Sequence, residues 1–449
     1  MRQILYWNIM EETWRKVVIL GAGRSSTHLI QHLLENAEAW KIHVRVGDGV
    51  LRVAEEKVNG HEHGSVFEFD AQNIEMMDRE VAQSDLVISM LPAFMHPQVA
   101  KLCLKHYKHL ITPSYVSAEM QDMDAEAKEK GLIFINELGV DPGIDHMSAM
   151  QIIDSLRSKG AAITGFYSLC GGLIAPKSDN NPWHYKVTWN PRNIVLAGAG
   201  GLAHFREEGR EKLIPYGRLY RELMSIDIPG YGSFDGYANR DSMAYENLYN
   251  LKGIPTLYRG TLRRPGFSQA WNHLVNWGMT DDQKVMNWEG MSMMDFTQTF
   301  LPRDATQWIH ETVTKDELFK LQWLGLWDIT PVPIDRGTPA QVIQKLIEER
   351  WELSPNDCDM LVMCHLFDYE LDGKKYRLQS HMVMEGEDAS NTAMSATVGL
   401  PMAMSVPYIL NGIWEDKGVV IPVRPHIYQA LLEELKTKGI QFHEQVTEI

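Results

Sequence analysis

The stretch Val17-Val18-Ile19-Leu20-Gly21-Ala22-Gly23-Arg24-Ser25-Ser26 decides the fold. Its continuous apolar start, residues 17–20, predicts a strand buried on both faces. Gly21 permits a tight turn out of this strand. Gly23 lets the backbone approach a pyrophosphate, which would sit at the N-terminus of a helix predicted from residue 27 to about residue 38. The pattern therefore predicts a dinucleotide-binding strand, turn and helix.

Strands and helices alternate after this motif. Five further short apolar runs predict strands, at residues 42–46, 66–69, 86–90, 110–112 and 132–135. Amphipathic segments such as 98–107 and 119–130 separate the later runs. Alternation at this spacing indicates an α/β fold with a doubly wound parallel sheet.

The residue that ends the second predicted strand bears on the choice of cofactor. Asp48 follows the glycine motif at the spacing where a carboxylate accepts hydrogen bonds from an adenosine ribose and repels a 2'-phosphate. This favours NAD, with NADP as the alternative, since Arg45 or Arg52 could receive a phosphate instead. Asp48 could also be a solvated loop residue. Ser26 takes the place of the usual third glycine, although its small side chain still permits close helix packing.

Polar side chains follow the fourth and fifth strands at the carboxyl edge, where ligands bind in such sheets. The two segments are Ser89-Met90-Leu91-Pro92 and Thr112-Pro113-Ser114-Tyr115. Because proline breaks a strand, Ser89, Ser114 and Tyr115 are expected near a nicotinamide.

The chain then crosses to a second domain through Asn136-Glu-Leu-Gly-Val-Asp-Pro-Gly-Ile-Asp-His146. Asp141-Pro142-Gly143 predicts a turn, because proline presets its backbone angle and glycine accepts angles that other residues resist. Asp145 is expected to cap the helix that begins near Met147. A turn and a cap would explain both acids without any function.

Beyond residue 145 the composition shifts towards Tyr, Trp, Asn, Pro and Gly, and arginines cluster in Asn239-Arg240-Asp241-Ser242 and Arg259-Gly260-Thr261-Leu262-Arg263. Arginine grips carboxylates in a bidentate fork, so a polycarboxylate substrate is indicated, with surface salt bridges as the alternative. The glycine cluster at 198–201 is interpreted as a turn or a close packing point. The remaining sequence of this region predicts strands at 165–170, 360–366, 375–378 and 381–384. It also predicts a helical insertion at 281–353, a helix at 392–410 broken at 399–401, and a helix at 426–438.

Bulk composition narrows the class of protein. A length of 449 residues predicts two or three domains, and the net charge of −16 argues against a nucleic-acid or anionic-membrane partner. No secretory signal or run of about 20 apolar residues is visible. The four cysteines show no zinc-type spacing, so no metal is expected and a reducing cytoplasm fits best.

Taken together, these motifs resemble the glutamate-forming saccharopine dehydrogenase family, also called saccharopine reductases. The resemblance extends from residue 17 to about residue 435. Besides the motifs already quoted, it is carried by Ser114-Tyr115-Val116-Ser117, Cys170-Gly171-Gly172 and Thr397-Val398-Gly399-Leu400-Pro401.

Residues 1–15 are an N-terminal extension without an assigned role. The resemblance implies a variant Rossmann domain at 16–140 and an α/β domain at 141–391 that binds substrate and forms a homodimer. A C-terminal helical segment at 392–449 would return to the first domain. The implied reaction is nicotinamide-dependent oxidation of the secondary amine of saccharopine, giving an imine that hydrolyses to glutamate and 2-aminoadipate semialdehyde.

Residue roles are also implied by the resemblance. Catalysis would involve Asp141, Tyr115 and Cys170. Saccharopine would meet Ser114, Tyr115, Asp141, Arg240, Thr261, Leu262 and Arg263. The cofactor would meet Gly21, Ala22, Gly23, Arg24, Ser25, Asp48, Leu91, Ser114, Gly139, Asp141 and Asn190.

The chain departs from the family at a few positions. Ile174 and Ala238 stand where the family has proline, Asn190 stands where serine is common, and Pro113 interrupts the run before Ser114. These departures keep two other hypotheses open: a dehydrogenase for a related secondary amine, such as a carboxylated polyamine or an opine, and a cofactor-binding sensor without catalysis.

Overall fold

The computed structural model describes residues 14–199 and 201–449, in two compact units. The first unit comprises the described residues up to Ile144 together with Ser395–Glu434, and the second comprises Asp145–Met394 and Leu435–Ile449. Residues 1–13 of the predicted extension and Gly200 of the glycine cluster lie outside the described residues. The first strand begins at Arg15, inside the predicted extension.

The strands are numbered in chain order. They are β1 (Arg15–Leu20), β2 (Ile42–Asp48), β3 (Gly64–Glu68), β4 (Leu86–Ser89), β5 (His109–Ile111), β6 (Ile133–Ile135), β7 (Ala162–Ile174), β8 (Ala203–Glu207), β9 (Arg210–Ile214), β10 (Leu223–Ile228), β11 (Gly232–Ala238), β12 (Thr256–Arg263), β13 (Met286–Asn287), β14 (Arg336–Gly337), β15 (Asp359–Leu371), β16 (Lys374–Glu385), β17 (Gly418–Val420) and β18 (His443–Glu448).

The helices are numbered in the same way. They are α1 (Thr27–Glu35), α2 (Ala37–Trp40), α3 (Leu51–Val58), α4 (Ile74–Ala82), α5 (His96–His106), α6 (Ala118–Gln121), α7 (Asp124–Glu129), α8 (Ile144–Ser158), α9 (Pro191–Val195), α10 (Tyr216–Leu219), α11 (Ala244–Leu248), α12 (Phe267–Trp277), α13 (Met293–Phe300), α14 (Ala305–Thr312), α15 (Lys315–Leu324), α16 (Pro339–Arg350), α17 (Ala393–Leu410) and α18 (Pro425–Thr437).

A parallel sheet organises the first unit. Its seven strands follow the order β17-β6-β5-β4-β1-β2-β3, and each neighbouring pair is parallel. All six predicted strands are present, so the doubly wound α/β fold is confirmed. The sequence reading missed α3, α4 and the edge strand β17. The predicted first helix is divided into α1 and α2 at Asn36.

The second unit is built on a mixed sheet of nine strands. Its main path is β10-β11-β12-β7-β15-β16-β18, and β8 and β9 extend it from β12. Only β7 and β12 run parallel among the pairs of this path. The insertion predicted at 281–353 contains α13 to α16, together with the small β13–β14 sheet. The two strands predicted at 375–384 form one strand, β16.

The C-terminal region differs from its prediction in two places. No helix break occurs at 399–401: α17 is continuous and contains both Pro401 and Pro407. Proline removes one backbone hydrogen bond, and the buried apolar turns around it hold the helix together. Gly399 serves packing instead, since a Cβ there would lie 2.7 Å from the backbone nitrogen of Leu29 on α1. The chain end, predicted as helical, adds β18 to the second unit's sheet through backbone pairing with β16.

Among the described residues, α17 is long and apolar enough to cross a membrane by length and composition. Its 18 residues are 78% buried inside the protein. The apolar character of α17 is therefore that of a core helix.

Candidate functional site

The glycine turn between β1 and α1 leaves space for a phosphate group. Gly21 has a φ of +100°, which favours glycine, and a Cβ there would lie 3.1 Å from the carbonyl oxygen of Met90. Gly23 faces open space, because a Cβ added to it would meet nothing within 4 Å. The short 3-10 helix Arg24–Ser26 follows and leads into α1. This arrangement fits a dinucleotide pyrophosphate beside Ala22, Gly23, Arg24 and Ser25.

Asp48 ends β2 where the sequence predicted a ribose partner. One of its carboxylate oxygens accepts a hydrogen bond from the backbone N–H of Ala22 at 2.7 Å, and the other accepts one from Val50 at 2.9 Å. The carboxylate therefore braces the glycine turn from the side of β2. The NAD prediction assigned the carboxylate oxygens of Asp48 to hydrogen bonds from the ribose. Backbone N–H groups of the protein occupy part of these acceptor sites.

The two arginines weighed as phosphate partners both pair with acids. Arg45 grips Glu80 in a bidentate pair, with distances of 2.6 and 3.1 Å. Arg52 pairs with Glu56 at 2.7 Å on the exposed face of α3. Both guanidinium groups are therefore engaged with acids of the same unit.

Lys57 on α3 contacts the glycine turn, and the sequence reading missed it because it missed α3. Its Nζ donates to the carbonyl oxygen of Gly23 at 2.5 Å and to the Oγ of Ser26 at 3.0 Å. Burial lowers the pKa of this amine to about 8, and the nearby Asp48 carboxylate opposes that shift. A helix pattern after Asp48 with a lysine in its last turn is the signal that could have identified Lys57.

At the carboxyl edge of the sheet, a buried histidine links two of the expected serines. The Nδ1 of His96 lies 2.9 Å from the Oγ of Ser89, and its Nε2 lies 2.9 Å from the Oγ of Ser114. Burial lowers the pKa of His96 to about 4, so the ring is neutral at pH 7. His96 was not predicted, and it fixes the Ser114 hydroxyl in place.

Tyr115 and Asp141 come together as the resemblance implies. The phenol of Tyr115 donates to a carboxylate oxygen of Asp141 at 3.0 Å. The turn that presents Asp141 is tight: Gly143 has a φ of +145°, and a Cβ there would lie 2.0 Å from the carbonyl oxygen of Gly139. Glycine is therefore required at position 143. Leu91 lies two residues after the end of β4, at the same edge of the sheet.

Asp145 does not cap α8, contrary to the prediction. It lies within the first turn of the helix, and its carboxylate accepts from the guanidinium of Arg259 at 2.8 Å. Both side chains are buried, and Arg259 also stacks 4.0 Å from the ring centroid of Tyr245. This buried ion pair takes up the charge of Arg259, so that arginine belongs to the core of the second unit.

Arg263, at the end of β12, is in a different situation. It is 3% exposed, and one of its terminal nitrogens donates to the carbonyl oxygen of Leu262 at 2.8 Å. Its Nε has no hydrogen-bond partner, and no ion pair to a carboxylate is found for it within the described ranges. Aromatic rings surround the guanidinium, with centroids at 5.0, 5.4 and 5.9 Å for Tyr185, Phe267 and Tyr237.

The other predicted substrate residues of the second unit lie on or next to β12. Thr261 stands opposite Cys170 in the parallel register of β12 and β7. Side chains alternate along a strand, so Thr261 and Arg263 share a face. The side chain of Leu262 packs into the core, and its carbonyl oxygen accepts the hydrogen bond from Arg263. Arg240 follows β11 in a left-handed conformation with a φ of 47°.

Asn190 has a structural role in the second unit. Its side chain accepts from the backbone N–H of Arg192 at 3.0 Å and caps α9. Its assignment as a cofactor residue stays a prediction.

The comparisons with known proteins agree with this geometry. Residues 17–135 match the family model described as the saccharopine dehydrogenase NADP binding domain, and residues 139–440 match the saccharopine dehydrogenase C-terminal domain. The description of the first model favours NADP, against the NAD preference drawn from Asp48. That preference treated the carboxylate as free for the ribose, whereas it is bonded to the backbone N–H groups of Ala22 and Val50.

Individual relatives cover nearly the whole chain. A curated protein of Pyricularia oryzae, named saccharopine dehydrogenase [NADP(+), L-glutamate-forming], is 32% identical over 96% of this chain and 99% of its own length. The structure of apo saccharopine dehydrogenase (L-Glu forming) from Saccharomyces cerevisiae superposes with a TM-score of 0.87 and 28% identity, covering 96% of this chain and 100% of that one.

A more distant solved structure shares the fold alone. Homospermidine synthase from Legionella pneumophila, in complex with NAD, superposes with a TM-score of 0.57 at 12% identity, covering 96% of this chain and 91% of that one. The two family models and the fungal relatives carry the assignment: the chain belongs to the saccharopine dehydrogenase family.

Proposed function

We propose that this protein is a nicotinamide-dependent oxidoreductase that interconverts saccharopine with L-glutamate and 2-aminoadipate 6-semialdehyde. The observation that carries the proposal is Arg263, a buried guanidinium without a carboxylate partner among the described residues. Burying a charge without a partner is costly, so such a group is usually completed by a ligand of opposite charge. The relatives named for the same reaction support the substrate assignment.

The substrate chemistry matches the cations of the second unit. Saccharopine carries three carboxylates joined through a secondary amine. Arg263 binds one carboxylate with charge-assisted hydrogen bonds, and Arg240 binds another. Thr261 and the backbone of Leu262 complete the contacts on the strand, and Cys170 lies across the register from Thr261.

A bound nicotinamide cofactor would supply the acceptor for the hydride on the methylene carbon beside the substrate nitrogen. The nitrogen must be deprotonated first, and Asp141, oriented by the Tyr115 phenol, takes that proton as general base. The resulting C=N bond adds water, and the adduct breaks its C–N bond to release the aldehyde and the amine of glutamate. The Ser114 hydroxyl is held in place by His96. It binds saccharopine at the same edge of the sheet.

For the cofactor we propose NADP, as in the name of the Pyricularia oryzae relative. Ala22, Gly23, Arg24 and Ser25 would hold its pyrophosphate, since a Cβ added at Gly23 would meet nothing within 4 Å. Leu91, Ser114, Gly139 and Asp141 would hold its nicotinamide, and Asn190 would be a further contact.

Three further parts of the proposal concern organisation. The first domain is the cofactor-binding domain, and the second binds substrate and forms a homodimer. The protein acts in the cytoplasm, where the four cysteines stay reduced.

The test is absorbance at the reduced-nicotinamide band when purified protein receives saccharopine with NADP and, separately, with NAD. Reduction of NADP, with glutamate and the semialdehyde as products, supports the proposal. Cofactor binding without turnover of saccharopine contradicts it. In that event a panel of other secondary amines separates a dehydrogenase of different substrate range from a sensor that turns over nothing.

A further inference from the structure

The dinucleotide turn is bracketed by two opposite charges. On one side the Asp48 carboxylate accepts from the Ala22 N–H at 2.7 Å. On the other side the Lys57 ammonium donates to the Gly23 carbonyl at 2.5 Å and to the Ser26 hydroxyl at 3.0 Å. Both charges therefore touch the segment that receives the phosphates of a dinucleotide.

The adenosine ribose of such a cofactor lies over the end of the second strand, next to the acid there. NAD and NADP differ at that point, because only NADP carries a 2'-phosphate. A carboxylate at Asp48 alone would repel this phosphate. Since Arg45 is bound to Glu80 and Arg52 to Glu56, Lys57 is the cation of residues 42–58 that contacts the turn.

We infer that Lys57 is a specificity-determining residue, whose ammonium group offsets Asp48 and permits a dinucleotide with a 2'-phosphate to bind. Lys57 is half-buried against the turn, and its burial is deep enough to lower its pKa, so it is not a solvated surface lysine. The inference rests on the proposed nicotinamide cofactor and adds the residue that selects between the two forms.

A purely structural role makes a different prediction. A lysine that only braces the Gly23 carbonyl would shape the turn for both cofactors, and its loss would weaken both to the same extent. A lysine that offsets Asp48 would affect mainly the phosphorylated cofactor. The ratio of the two affinities therefore separates the two roles.

The experiment measures the dissociation constants of NADPH and NADH by fluorescence titration of the full chain, without saccharopine. In Lys57→Met, NADPH binding weakens by about tenfold or more, because the 2'-phosphate then meets the Asp48 carboxylate without a nearby positive charge. NADH binding changes by less than about threefold, the size expected for a loss of turn bracing alone. Lys57→Arg keeps the charge and retains the preference for NADPH.

Three other variants complete the comparison. Lys101 lies on α5 and forms an exposed ion pair with Glu119. Lys101→Met removes the same charge and leaves both dissociation constants unchanged. Arg24→Met weakens both cofactors alike, since the pyrophosphate is common to them. Asp48→Asn shifts the ratio further towards NADPH.

If Lys57→Met loses the same factor of affinity for NADPH and for NADH, the inference is overturned. So does an unchanged ratio in Asp48→Asn, which also decides the matter if Lys57→Met does not fold. A wild-type protein that binds both cofactors but leaves saccharopine unreacted contradicts the proposed function alone, because the titration does not use that substrate.

Discussion

Two buried arginines on the same strand should respond in opposite ways to the same substitution. Arg259 and Arg263 are 4% and 3% exposed, and both lie on β12. Arg259 pairs with the buried Asp145 at 2.8 Å, whereas Arg263 has aromatic neighbours and no carboxylate partner among the described residues. Their replacement by methionine, a long apolar side chain, separates a structural charge from a ligand-binding charge.

The magnitudes follow from these partners. In Arg259→Met the Asp145 carboxylate stays buried without its cation, which costs roughly 3–5 kcal/mol of unfolding free energy. Arg263→Met loses one hydrogen bond to Leu262, about 1 kcal/mol, and aromatic contacts worth at most about 2 kcal/mol. It also removes a desolvation penalty of several kcal/mol. The stability of Arg263→Met should therefore equal or exceed that of the wild type.

The activity of Arg263→Met should fall, although its stability should not. Loss of the guanidinium contacts with a substrate carboxylate costs about 1.5–3 kcal/mol, or roughly a 10- to 150-fold decrease in kcat/KM for saccharopine. Cofactor affinity should stay unchanged in this variant. Urea denaturation followed by fluorescence gives the stabilities, and initial rates of cofactor reduction give kcat/KM.

A single pattern refutes the reasoning. If Arg263→Met loses as much stability as Arg259→Met and its remaining folded fraction turns over saccharopine at the wild-type kcat/KM, Arg263 is a structural residue. The buried charge would then have to be satisfied within the protein.

Two further predictions concern acids. Asp141→Asn should lower kcat by about 100-fold or more, which is the usual contribution of a general base, and should retain cofactor binding. Undiminished turnover in stopped-flow single-turnover experiments would exclude that role. Asp359 accepts from the N–H groups of Ala393 and Met394 at the start of α17, and burial raises its pKa from 3.8 to about 6. Because the raised pKa favours the protonated form when folded, its stabilising contribution is full below about pH 4 and is lost as pH rises to about 6. The wild type should thus lose about 3 kcal/mol relative to Asp359→Asn as the pH rises from well below 4 to well above 6, measured in urea titrations at a series of pH values. Parallel pH profiles of the two proteins would show the shift to be absent.

The first unit could be predicted well because its signals are local. Buried parallel strands are short apolar runs, and the glycine turn needs particular backbone angles, so both are written into neighbouring residues. The segment β17 was missed, since Gly418-Val-Val420 is too short to be distinguished from a loop. Its position comes from pairing with β6, which is distant in the chain.

What the sequence could not determine is which charges are free. Arg259 and Arg263 belong to one motif and look equivalent in the chain. Only the fold brings Asp145 to the first of them and aromatic rings to the second. The same holds for the cofactor turn: Asp48 could be read from its spacing, but Lys57 reaches Gly23 only through the packing of α3. The sequence by itself therefore determined the family fold and the residue types of the site. The tertiary structure decided which of those residues pair with one another and which, like Arg263, have no carboxylate partner among the described residues, because electrostatic pairing depends on distances between residues far apart in the chain.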